Sequence, residues 1–127
     1  MHLPNVVLAS LLLAAGCNRR PDDGFSERLR VAVRASAPSS AYVAGEPTRT
    51  AAPGRKEARW TVHAPMTWED FAASLGPNLG PFRKTNAPEN TLRFRQHLPG
   101  DAYTVEMRPT EAGPPVAVEV TFVAVPD

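Results

Sequence analysis

Residues 91–108 read TLRFRQHLPGDAYTVEMR, and residues 116–125 read VAVEVTFVAV. In both stretches apolar and polar side chains alternate, the period of a half-buried β-strand. Leu92, Phe94, Gln96 and Leu98 share one face, and Arg93, Arg95 and His97 share the other. Tyr103, Val105 and Met107 line up in the same way, as do Val118, Val120 and Phe122 against Glu119 and Thr121. Val123 and Val125 on that second face imply that both faces are covered near the end. Between the first two strands, Pro99-Gly100-Asp101 is turn chemistry. A turn centred on Gly100-Asp101 pairs Leu98 with Tyr103, Gln96 with Val105 and Phe94 with Met107. It sets Arg95 opposite Glu106 on the outer face, a favourable cross-strand pair. Gln96 is the polar exception on an apolar face.

Two further elements precede these strands. Arg59-Trp60-Thr61-Val62-His63 alternates and reads as a strand that Pro65 stops. The next residues predict a helix over 67–75. Thr67 is a good N-cap, and Glu69 and Asp70 favour the positive end of the helix dipole. Trp68, Phe71, Ala72 and Leu75 fall on one side, and Gly76-Pro77 is a stop signal. In GPNLGPF, residues 76–82, two turns follow closely, and Leu79 and Phe82 are expected to plug the core. The predicted class is α+β: a small antiparallel β-meander with one packed helix, β-α-β-β-β, over residues 57–127. A domain of that size folds alone only marginally. The single cysteine leaves it without an internal disulfide.

Upstream the composition changes. The chain holds 14 prolines, about twice the average usage, and residues 36–56 are rich in Ala, Pro, Ser, Thr and Gly. They read as linker. Residues 18–56 carry 8 Lys/Arg against 4 Asp/Glu, whereas residues 57–127 carry 6 against 9. A basic tether over 17–56 is therefore expected ahead of a mildly acidic domain. Within it, residues 28–34 form a candidate strand, with Leu29, Val31 and Val33 alternating with Arg28, Arg30, Ala32 and Arg34. Phe25, Leu29 and Val33 are also spaced as one helical stripe. The β-branched valines favour the strand. Arg19, Arg20, Arg28, Arg30 and Arg34 suit either solvent or anionic phospholipid.

Residues 6–15, VVLASLLLAA, are apolar throughout. A bilayer-spanning helix needs about 20 such residues, so the run has the length of a signal-peptide core instead. It ends in Leu13-Ala14-Ala15-Gly16-Cys17, which resembles the lipobox of bacterial lipoproteins. The resemblance implies a signal peptide over 1–16, cleavage between Gly16 and Cys17, and lipidation of the Cys17 thiol. Small residues let a protease approach the backbone, and the thiol is the nucleophile that accepts lipid. Several acyl chains then hold the protein at the membrane. In enteric bacteria Asp after the cysteine resembles an inner-membrane retention signal. Asn18 stands there instead, so the resemblance implies the outer membrane of the cell envelope.

No catalytic set is expected. His63 and His97 lack metal-ligand spacing, although Glu106 and Glu119 are candidate neighbours. Glu69 and Asp70 are explained by the helix start, and Ser74 has no nucleophile-elbow context. Arg93-Phe94-Arg95 is too short a basic–aromatic run for nucleic acid, and the domain is net negative. The expected protein is a lipid-anchored, non-enzymatic envelope module needing no cofactor or metal. Its partners are the membrane, through Cys17, and an envelope protein or polymer. The expected binding face is Arg93, Arg95, His97, Thr104 and Glu106. The alternative is a small envelope hydrolase or ligand-binding domain.

Overall fold

The computed structural model describes residues 24–126. The expected signal peptide, the Gly16–Cys17 cleavage site and the Cys17 lipidation site lie outside these residues. Helix α1 (residues 24–35) comes first, followed by β1 (Tyr42–Ala52) and β2 (Arg55–Ala64). Helix α2 (Trp68–Leu75) leads to β3 (Asn78–Leu79), β4 (Phe82–Thr85), β5 (Leu92–Leu98), β6 (Asp101–Glu111) and β7 (Val116–Pro126). The strands form one sheet in the order β1-β2-β7-β6-β5-β4-β3, with every neighbour antiparallel. After β2 the chain crosses through α2 to the far edge. It then meanders back strand by strand until β7 pairs with β2.

The expected β-α-β-β-β layout with one helix is met only in part. β2, α2, β5, β6 and β7 follow in that order, but β3 and β4 intervene after α2, and α1 and β1 add a second helix and an edge strand. The helix over 67–75 forms as its signals require. The Thr67 hydroxyl accepts from the Asp70 amide at 3.2 Å, and Trp68 and Phe71 are buried. Leu79 and Phe82 are buried as well, on the small β3–β4 hairpin.

Three expectations need correction. Residues 28–34 are helical, not a strand. Phe25, Leu29, Ala32 and Ser36 are buried at helical spacing, while Glu27, Arg30 and Arg34 are exposed. A strand would have placed Ala32 with the arginines. Packing of the stripe therefore overrides the local preference of Val31 and Val33.

The expected linker contributes β1, an 11-residue edge strand. Gly45 and Pro47, which argue against a strand, fall in an irregularity between Ala44 and Thr48. An edge strand tolerates a residue with no amide proton there.

Third, the β5–β6 register differs by two residues. Leu98 pairs with Asp101, Gln96 with Tyr103, Phe94 with Val105 and Arg93 with Glu106. The two-residue turn is Pro99-Gly100, matching Pro53-Gly54 between β1 and β2. Gly54 and Gly100 take φ of 73° and 91°, a conformation that favours glycine, and the β5–β6 turn is centred one residue earlier than Gly100-Asp101 would place it. A slip of two leaves every side chain on its predicted face.

Both helices pack on the same side of the sheet. Phe122 of β7 meets Phe25 of α1 at 5.3 Å, Tyr103 of β6 at 5.7 Å and Phe82 of β4 at 5.9 Å between ring centroids. Ser36, at the end of α1, is fully buried and satisfied on both sides. Its hydroxyl donates to the Val33 carbonyl at 2.8 Å and accepts from the Trp60 indole N–H at 3.0 Å. That pair pins α1 to β2. Phe122→Ala is expected to cost about 4 kcal/mol through the cavity it leaves. Ser36→Ala, which orphans the indole N–H, should cost about 1–3 kcal/mol. Urea unfolding of the two variants checks the order.

Candidate functional site

The helices cover one face of the sheet and leave the other to solvent. On that outer face the alternation of β5 presents Arg93, Arg95 and His97, and β6 presents Thr104, Glu106 and Arg108. The five residues expected to form a binding face therefore do share one surface. The ion pair on it is different from the expected one. Arg93, not Arg95, faces Glu106, and its Nε and Nη2 donate to Glu106 Oε2 at 3.0 and 2.8 Å. Arg93 Nη1 also donates to the Asn86 carbonyl at 3.2 Å. Arg108 Nη2 holds the other carboxylate oxygen at 3.1 Å. Glu106 is thus held between two guanidinium groups.

A second cluster of the same form stands on β2. Glu57 Oε2 accepts from Arg59 Nε at 2.7 Å, and Glu57 Oε1 accepts from Arg55 Nη2 at 3.0 Å. Arg55, Glu57 and Arg59 alternate in sequence, which was the available signal for their shared face. Between the clusters Thr104, Thr121 and Val123 floor an open groove of ~350 Å³. The arginines at its edges are more than half exposed at Arg55, Arg59 and Arg108, whereas the glutamates are mostly covered.

The arginines set the charge state. Hydrogen bonds from Arg59 and then Arg55 hold the Glu57 carboxyl below its ordinary range. For Glu106, burial pushes upward, and the hydrogen bonds from Arg93 and Arg108 overcome it to hold the carboxyl low. Both groups are carboxylates at neutral pH, engaged as acceptors.

Arg95 has a different setting. It lies across from Thr104 on β6 and directly across from Arg83 on β4. Neither arginine makes an ion pair among the described residues. Like charges directly opposite are mutually destabilising, and an anion between them relieves this. His97 is exposed nearby on β5. His63 is on the same face of β2, where its ring stacks on Tyr42 at 5.3 Å. The registers set His63 level with Ala117 and His97 level with Val125, roughly 25 Å apart along the strands. They do not share a ligand. No group of three or more His, Cys, Asp or Glu among the described residues is placed to hold a metal ion. Nor is any helix among them long and apolar enough to cross a membrane.

No family model matches the sequence, and no curated protein matches it. Among solved structures, that of CalU16 from Micromonospora echinospora is similar at 15% identity with a TM-score of 0.43, covering 67% of this chain and 69% of that one.

The depressed carboxyls make a pH prediction. A group whose native pKa lies below its unfolded value stabilises the fold above the unfolded pKa, and that contribution disappears as pH falls through the native pKa. Stability should therefore decline as pH drops below the ordinary carboxyl value of 4.5. The Glu57→Gln/Glu106→Gln variant should show a flatter acid limb, with at most about 1 kcal/mol lost per site at neutral pH because the arginines are exposed. Unfolding midpoints measured across pH would check both.

Proposed function

We propose that this chain is a lipid-anchored cell-envelope protein whose sheet presents its outer face to an anionic envelope protein or polymer. The single observation that carries the binding role is the facing pair Arg83 and Arg95 on the exposed sheet face, neither of which is ion-paired among the described residues. The groove beside them supports it. Its glutamates are occupied by guanidinium groups, so they lock the arginines in place without adding free acceptors. Thr104 and Thr121 add hydroxyl donors along the floor. Such a surface binds by charge and hydrogen bonding.

The anchor rests on Leu13-Ala14-Ala15-Gly16-Cys17. In this reading Cys17 becomes the first residue of the mature chain and carries the lipid, and Asn18 directs the protein toward the outer membrane. The module performs no covalent chemistry.

Two measurements test this reading. Cys17→Ser should leave the precursor unprocessed, with no acyl mass on the peptide that contains residue 17; normal processing and membrane retention of that variant would refute the anchor. A photocrosslinker at position 95 in intact cells should capture a discrete partner, while the same group at Glu69, exposed on α2, should not. Equal capture at both positions would refute the binding face. Arg83→Glu/Arg95→Glu should reduce capture from a neighbouring outer-face position by tenfold or more, in line with roughly 1.4 kcal/mol per decade of affinity.

A further inference from the structure

A second surface lies on the helix side of the molecule, where α1 runs beside β1. Leu29, Val33 and Pro47 form the floor of an open groove of ~320 Å³, and Arg30, Arg34 and Arg49 stand around it. A smaller recess of ~210 Å³ continues from Arg49 past Phe25 to Lys56. Arg49 and Lys56 each lie over the Phe25 ring, at 5.8 and 6.0 Å from its centroid. Arg49 is further oriented by its hydrogen bond to the Ser26 hydroxyl at 3.1 Å. Glu27 binds Arg30 at 3.2 Å on the exposed side of the helix. Arg34 makes no ion pair among the described residues. The result is a strip of cations over an apolar floor.

Where the chain continues decides what this strip meets. Only six residues, 18–23, separate Cys17 from Gly24. Seven chain steps reach at most about 25 Å when fully extended. Residues 19 and 20 of that segment are arginines and residues 22 and 23 are aspartates, so the segment adds no net charge and the groove's own arginines carry the attraction. If residue 17 is held in a bilayer, α1 begins within one bilayer thickness of the lipid headgroups. We propose that the α1–β1 groove docks on the anionic phospholipid headgroups of the membrane that holds the anchor; this rests on the lipid-anchor reading. Phosphate oxygens meet Arg30, Arg34 and Arg49, and the glycerol and upper acyl region lie against Leu29, Val33 and Pro47. Docking here fixes the orientation of the domain, so the short N-terminal segment acts as a leash and the outer sheet face stays available.

The test uses the full chain with vesicles of phosphatidylcholine, either pure or mixed with phosphatidylglycerol, read by hydrogen exchange and mass spectrometry. With phosphatidylglycerol present, exchange over residues 25–34 and 46–51 should slow about threefold or more and recover at high salt. Arg30→Glu/Arg34→Glu/Arg49→Glu should lose that protection, and Arg34→Glu alone, at an exposed position, should weaken it while the circular dichroism stays unchanged. Equal exchange in the two vesicle types overturns the proposal. So does equal protection by inorganic phosphate over pure phosphatidylcholine, or protection that falls on β5 and β6 instead. The mass of the residue-17 peptide from the same samples reads the anchor separately, so loss of the anchor is distinguished from loss of headgroup docking.

Discussion

Phe122 is the point on which the layers close. Its ring touches aromatic rings from α1, β4 and β6, elements whose residues lie up to about a hundred positions away in sequence. It can do this only because β7 sits between β2 and β6. Pairing β7 with β2 joins the N-terminal hairpin to the C-terminal meander, and the side chains that then alternate inward make one continuous core. Without α1, Phe122 and Trp60 would face water, and the indole N–H would lose its partner in Ser36. The segment that looks dispensable from composition is therefore structural. It supplies the covering layer that a sheet with one apolar face requires.

Having both helices on one side fixes the character of the other. The outer face is not covered, so its residues are chosen by solvent and by neighbours across the strands. Charges on a sheet surface are stabilising when opposite signs stand across from one another and costly when like signs do. Arg93 with Glu106 obeys that rule across β5 and β6, and along β2 Glu57 is flanked by two arginines. Arg83 and Arg95 break it. A local violation set within an otherwise satisfied pattern is the kind of feature that function, not folding, accounts for.

Much of this was legible in the sequence, for reasons that can be stated. β2, β5, β6 and β7 are long and alternate cleanly, and α2 carries its own start and stop signals. What failed was local evidence in competition with tertiary context. Val31 and Val33 speak for a strand, yet the apolar stripe of Phe25, Leu29 and Ala32 is satisfied only by a helix. Gly45 and Pro47 speak against a strand, yet an edge position absorbs them. The composition of the candidate face was readable because a register error of two residues does not exchange faces. The identity of its ion pair was not, because Arg93 and Arg95 differ only by that register. Arg83 was invisible as a neighbour of Arg95, since a four-residue strand flanked by Gly-Pro and Ala-Pro gives little period to read.

Correcting the tether changes the mechanical picture of the protein. An unstructured run from residue 18 to residue 56 would have had an r.m.s. reach of roughly 35 Å and left the domain free to tumble. With α1 and β1 folded into the domain, the link from Cys17 shortens to the residues before Gly24. A short link raises the effective concentration of any nearby surface for whatever holds residue 17, and weak contacts then suffice to orient the domain. The basic groove runs along α1, the element that the link enters at Gly24. The cations of the outer sheet face lie on the opposite side of the sheet from α1 and Phe122. One layer thus separates the arginines beside α1 from those of the outer sheet face, so in the proposed reading a membrane and a partner would not compete for the same cations.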